Sequence, residues 1–163
     1  MTDEQMQLIV GLIVARLQAR RGNTATLSAE ALRHAPVQEL AMAHDALHIV
    51  QATLQFLHQL AEGKCDDSAV ANLFEALSLG MAVSIALPVQ ILAHLPLRAL
   101  TPLPCCWCDP QGNKVALHLK NVLSYRDLRA LHGGWLVTSR RTVITALARE
   151  AALAQHIQLV KQE

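Results

Sequence analysis

Aromatic side chains are nearly missing: two Trp, two Phe and one Tyr among 163 residues. A core must therefore be built from Leu, Val, Ile and Ala. A charge of one sign is missing too. Lys and Arg number 14, Asp and Glu 13, and the net charge is +1. No field of one sign favours nucleic acid or an anionic membrane, so neither is an expected partner. The pairs Arg20-Arg21 and Arg140-Arg141 read as solvated turns. There is no long apolar run, since residues 8–15 are too short to span a bilayer. The opening residues are acidic, where a secretory signal would be basic. The expected location is cytosolic, with the cysteines reduced. Phosphate-binding glycine motifs are missing, both G-x-x-x-x-G-K and G-x-G-x-x-G. Ser124 lacks the glycines of a nucleophile elbow. No Ser, Cys or Thr has a His and an acid nearby in sequence. No catalytic residues and no cofactor are expected, and no tandem repeat or low-complexity tract is visible.

What is present is apolar substance. The chain is 52% hydrophobic and 17% charged, which argues against disorder. Residues 1–21 read as an amphipathic helix. Thr2 and Gln5 have the spacing of a capping box. Asp3 and Glu4 stand where the helix dipole favours negative charge, and Arg16, Arg20 and Arg21 where it favours positive charge. Met6, Ile9, Val10, Ile13, Val14 and Leu17 recur at steps of three and four as one apolar stripe. Gly22 and Asn23 stop the helix. Residues 22–36 then have the composition of a linker, closed by Pro36.

Residues 37–163 read as one α/β domain. Residues 40–62 suit either one helix or a strand followed by a helix, and the second is favoured because the later segments need a sheet to pack on. Asp66, Asp67 and Ser68 offer caps for a helix stopped by Gly80. Val83, Ile85 and Leu87 share one face of a strand. Pro88 opens and Pro96 closes a short helix. Residues 105–108 and 114–119 flank Asp109-Pro110-Gln111-Gly112 as a hairpin. Ser124 and Asp127 form a second capping box, residues 135–138 a strand, and Thr145 the cap of a helix running through Ala154. A closing strand is expected at 157–160, with Ile157 and Leu159 on one face, Gln158 and Val160 on the other. Strands alternating with helices indicate an α/β fold.

The cysteines are the most conspicuous candidates for chemistry. Cys105 and Cys108 have C-x-x-C spacing, but only Cys65 and scattered histidines could complete four zinc ligands. On a strand Cys106 and Cys108 share a face that Cys105 does not. The weak metal candidates Cys105, Cys106 and Cys108 are therefore read mainly as small buried hydrophobes. His44 and His48, four apart, could chelate a metal only from a helix.

Two regions carry a family resemblance. The pattern Met6-x-x-Ile9-Val10-x-x-Ile13-Val14-x-x-Leu17 resembles the encapsulation peptides of microcompartment cargo. The stretches Val122-Leu123-Ser124-Tyr125-Arg126-Asp127, Thr142-Val143-Ile144-Thr145-Ala146-Leu147-Ala148-Arg149-Glu150 and Ile157-Gln158-Leu159-Val160-Lys161-Gln162-Glu163 resemble the PduM family of propanediol-utilisation microcompartment proteins. The length and Thr24-Ala25-Thr26-Leu27-Ser28 are similar as well. The resemblance implies a non-catalytic component of a bacterial microcompartment in the cytoplasm, with shell proteins or encapsulated enzymes as partners. The helix would bind one of them and the α/β domain the other. A homo-oligomer is compatible with it. The cysteine cluster lies outside this pattern. Residues 80–95 also resemble Rossmann-like flavoproteins at the level of fold. A single Rossmann-like domain is thus expected, and a small-ligand or flavin-binding module is the competing function.

Overall fold

The computed structural model describes residues 1–163, and its fold is mixed α/β with only parallel strand pairing inside its sheets. Helix α1 (Asp3–Ala19) comes first. Strand β1 (Thr24–Ser28) leads into α2 (Ala29–Leu32) and α3 (Val37–Ala43). Strand β2 (Ala46–Val50) is followed by α4 (Leu54–Glu62) and α5 (Ser68–Ser78). Strand β3 (Ala82–Ala86) is followed by a 3-10 helix at Val89–His94 and by α6 (Leu97–Leu100). Strand β4 (Cys105–Cys108) completes a four-stranded sheet in the order β1-β2-β3-β4.

The order is sequential. A Rossmann-like sheet instead reverses its strand order, and the reversal opens a crevice for the ligand. Here each strand lies beside the last, and the crossovers stack. Leu47, Ile49, Val83, Ile85 and Trp107 point to one face of the sheet. There they share a core with Leu32, Phe56, Leu60, Val70, Leu73, Leu92 and Leu100 from the crossovers. The opposite face is small and polar, with Thr24, Thr26 and Cys106 exposed and His48 and Ser84 half-buried. Parallel sheets are ordinarily covered on both faces, so this open side is a departure from the rule.

Residues 22–36 are not a linker. Thr24–Ser28 pairs along its whole length with β2, from Thr24 opposite Ala46 to Ser28 opposite Val50. Ser28 caps α2 by accepting from the Ala31 N–H at 3.0 Å, and Ala29 and Leu32 are buried. The polar composition belongs to an edge strand with one wet face, a pattern that composition alone cannot tell from a loop. The ambiguous stretch 40–62 resolves as strand then helix, as favoured.

The last third winds differently. Strands β5 (Val115–His118) and β6 (Val122–Leu123) lead into α7 (Tyr125–Leu128). Strands β7 (Trp135–Thr138) and β8 (Val143–Ile144) lead into α8 (Ala146–Ala154), and β9 (Gln158–Lys161) closes the chain. Two coils of the same design therefore lie in register: Val115 pairs with Trp135 and Val122 with Val143, a repeat of about 20–21 residues. The expectation of no tandem repeat fails at this level, because the repeated feature is the path of the backbone. β5, β7 and β9 form one sheet and β6 and β8 another. Val115, Val137 and Val160 face the first core, whereas Leu123, Leu136, Ala148, Ile157 and Leu159 form a second. The closing strand begins one residue later than expected, with Ile157 and Leu159 turned one way and Val160 the other.

The expected hairpin at 105–119 is only half there. Asp109 and Asn113 close its turn, with the Asp109 N–H donating to the Asn113 carbonyl at 2.8 Å, and Cys108 bridges Lys114 antiparallel. Beyond that bridge the arms part. β4 pairs with β3 and β5 with β7, because each finds a parallel partner on which to bury its apolar face.

Candidate functional site

The expected partner-binding residues lie together on α1. Thr2 accepts from the Gln5 N–H at 3.4 Å, and the Gln5 side chain accepts from the Thr2 N–H at 3.1 Å, so the capping box forms. At the other end the Arg20 guanidinium donates to the Ala41 carbonyl at 2.7 Å. The Asn23 amide donates to the Ala43 carbonyl at 3.1 Å, and the Gly22 N–H to the Asp45 carboxylate at 2.8 Å. The helix is thus held to the body by polar contacts at its C-terminal end.

No residue of α1 is buried. Met6, Ile9, Val10, Ile13, Val14 and Leu17 are 44–53% exposed. They do not stand alone. Leu8 and Leu12 are also exposed, and at 3.6 residues per turn they lie with Ala15 on the opposite side. The helix therefore carries two apolar sides with narrow polar borders, rather than the single stripe of a simple amphipathic helix. Helices apolar on most sides are usually enclosed by other structure. Its C-terminal half adjoins an open groove of about 380 Å³, formed by Ile13, Leu17, Ala41, Met42 and Leu79, with Arg16, Arg20 and Gln38 at the rim.

The cysteines do not gather. Cys105 turns toward the core beside Val83. Cys106 is exposed on the opposite face, and the half-buried Cys108 shares that face, its thiol 3.7 Å from the Ile85 carbonyl. Cys65 lies apart, between α4 and α5. Burial pushes the Cys105 thiol up to about 11, and the neighbouring Cys106 adds to the shift. Burial raises Cys108 as well, helped by Asp109 and Cys106. A raised thiol is a slow nucleophile, since attack uses the thiolate. An open cleft of about 540 Å³ runs along the free edge of β4 toward β5, lined by the three cysteines and Trp107. No group of three or more His, Cys, Asp or Glu side chains converges anywhere. His44 and His48 do not chelate from one helix. His44 ends α3 with its ring against the Leu40 carbonyl, and His48 stands on β2.

Two features escaped the sequence. Thr26, His48, Ser84 and Cys106 stand in one row across the open face of the four-stranded sheet. His48 Nδ1 lies 2.7 Å from Ser84 Oγ, and no carboxylate orients the ring. The alternation in Ala46-Leu47-His48-Ile49 was the available signal, but it needed the strand register. The second feature is Asp109, a buried carboxylate that accepts from the Gln111 and Asn113 N–H groups, the Asn113 amide and the Trp135 indole at 2.7–3.0 Å. Burial pushes its carboxyl up, but these donors outweigh burial and hold it below the usual range.

No helix is long and apolar enough to cross a membrane. No solved structure matches the chain. Sequence relatives do. A family model described as putative propanediol utilisation matches residues 8–158. A bacterial microcompartment assembly protein PduM from Citrobacter freundii is 40% identical over 163 residues, the whole of both chains. Its counterpart from Salmonella typhimurium strain LT2 is 41% identical, again over the whole of both. With a family model over most of its length and full-length similarity at this level, the chain belongs to the PduM family of propanediol-utilisation microcompartment proteins.

Proposed function

We propose that the chain is a non-catalytic assembly component of a bacterial microcompartment for 1,2-propanediol degradation, sited in the cytoplasm, where it connects shell proteins and enzyme cargo. The observation that carries this reading is α1, a capped helix with an unburied apolar surface, in a chain similar over its whole length to proteins named for microcompartment assembly. Met6, Ile9, Val10, Ile13, Val14 and Leu17 are the docking residues. A free helix of this length is marginal in water, and seating its apolar side in a partner groove stabilises it. A connector needs a second surface. The open face of the four-stranded sheet supplies one, since parallel sheets ordinarily have both faces covered.

The test places two charges in the stripe, Ile9→Glu with Ile13→Glu. Each buried apolar side chain is worth about 1.5–3 kcal/mol, so two carboxylates there abolish docking. The variant stays soluble and folded but no longer co-sediments with intact compartments. Normal co-sedimentation would remove this face from the docking reading.

A further inference from the structure

The two halves of α1 have different surroundings. Ile13 and Leu17, in the second half, form one wall of the groove whose other wall is Ala41, Met42 and Leu79. Met6, Ile9 and Val10, in the first half, are about half exposed and line no part of it. The charges divide in the same way. Asp3 and Glu4 occupy the first turn, and Arg16 and Arg20 flank the groove. None of these four belongs to an ion pair of the chain. One copy thus presents an apolar segment led by carboxylates, together with an apolar groove rimmed by guanidinium groups.

We infer that α1 pairs antiparallel with α1 of a second copy of this chain, each first half lying in the other's groove. The inference rests on the reading of the stripe as a docking surface, and it names the occupant in the free protein, before shell or cargo is met. The register is self-consistent. Met6, Val10, Ile13 and Leu17 follow alternating steps of four and three, the spacing of a helix–helix seam. Turned antiparallel, Met6 lies opposite Leu17 and Val10 opposite Ile13, while Ile9 and Val14 flank the seam. The same register sets Asp3 beside Arg20 and within a side chain's length of Arg16. A two-fold axis repeats every contact, as an isologous pair requires. Opposite charges at the two ends of one helix favour the antiparallel arrangement and oppose a parallel one. Leu8 and Leu12, on the other side, remain outside the seam.

The experiment is sedimentation equilibrium on the purified full-length chain at tens of micromolar. The expected mass is twice 17.8 kDa. Asp3→Lys with Glu4→Lys, and separately Arg16→Glu, should each weaken self-association at least tenfold. An equimolar mixture of the two variants should recover the dimer, because each reversed end then meets its complement. The mixture also guards against misfolding, since a misfolded variant could not regain a partner. A monomeric wild-type chain, a dimer indifferent to both variants, or a mixture no tighter than its parts would each overturn the pairing. The purified chain meets neither shell nor cargo. A monomer there sinks the pairing and leaves the docking reading to the co-sedimentation test. A dimer whose Ile9→Glu, Ile13→Glu variant still co-sediments retires the docking reading alone.

Discussion

A methyl group added at Gly134 would lie 2.3 Å from the Lys114 carbonyl oxygen, and the backbone there has φ +81°. That carbonyl also accepts from the Trp135 N–H at 2.8 Å, so it cannot move aside without loosening the start of the β5–β7 pairing. Gly134→Ala should cost about 2–4 kcal/mol in denaturant unfolding, combining left-handed strain with a rigid backbone clash. Asp109 makes a second such point. Asp109→Ala leaves the Trp135 indole and two backbone N–H groups without their acceptor, an expected loss of about 2–4 kcal/mol. Its carboxyl is held low in the folded chain, as are Asp67, where Arg33 and the α5 amides outweigh burial, and Asp127, mainly through the Ser124 N–H. Depressed carboxylates stabilise the fold above the ordinary value near 3.9 and lose that contribution as pH falls through their folded values. The melting temperature should therefore be flat from about pH 7 to 5 and fall steeply below about pH 4. Among the thiols the order of reactivity follows exposure. At pH 8 iodoacetamide should label Cys65 and Cys106 well before Cys105, whose thiol is half-buried and raised to about 11. Mass spectrometry of timed samples reads the order, and rapid labelling of Cys105 would contradict the packing given to it. Cys105→Ser with Cys108→Ser should leave metal content at background and cost at most about 1–3 kcal/mol, the penalty for half-buried hydroxyls without partners.

At the scale of elements, legibility in the sequence followed local chemistry. Helix caps were readable because cap and capped amide are three residues apart. Thr2, Asp67, Ser124 and Thr145 all stand at helix starts as their spacing suggests. The partners of strands were not readable, because pairing is settled by residues far away in the chain. Thr24–Ser28 looked like a linker until β2 stood beside it, and the hairpin at Asp109 gave no sign that its arms would join different sheets. The stripe on α1 was legible as a pattern. Leu8 and Leu12 stand exposed on the other side, so the helix is less amphipathic than the stripe alone suggests. Since no residue of α1 is buried, deletion of residues 1–18 should leave far-UV circular dichroism of the remaining domain intact and shift its melting temperature by only a few degrees. Arg20 and Asn23 stay in the truncated chain and keep their contacts with α3. Loss of cooperative melting on that deletion would make the helix part of the core after all.

Across the whole molecule, one habit of the chain recurs: strand, turn, helix, then another strand parallel to the last. It builds the four-stranded sheet in sequential order and then the two coils of the last third. Repeats of this kind depend on their neighbours, since each coil buries its apolar face only against the next. The closing strand β9 is therefore more than a tail. Leu159 and the preceding Ile157 fill the second core, Val160 faces the first, and the Gln162 amide donates to the Leu95 carbonyl at 2.6 Å, which ties the coils back to the crossover before α6. Removing residues 157–163 strips β7 of its outer partner and opens both cores at once. Ile157 and Leu159 bury about one to two large side chains' worth of apolar surface between them, and Val160 adds part of another, so the loss is about 3–6 kcal/mol before any cavity cost. A domain of this size has about 5–15 kcal/mol in all. The truncated chain should accordingly melt about 6–24 °C lower, and its β5–β7 amides should exchange with solvent on the timescale of global unfolding. Exchange confined to β7, with the four-stranded sheet as protected as before, would show instead that the two cores open independently.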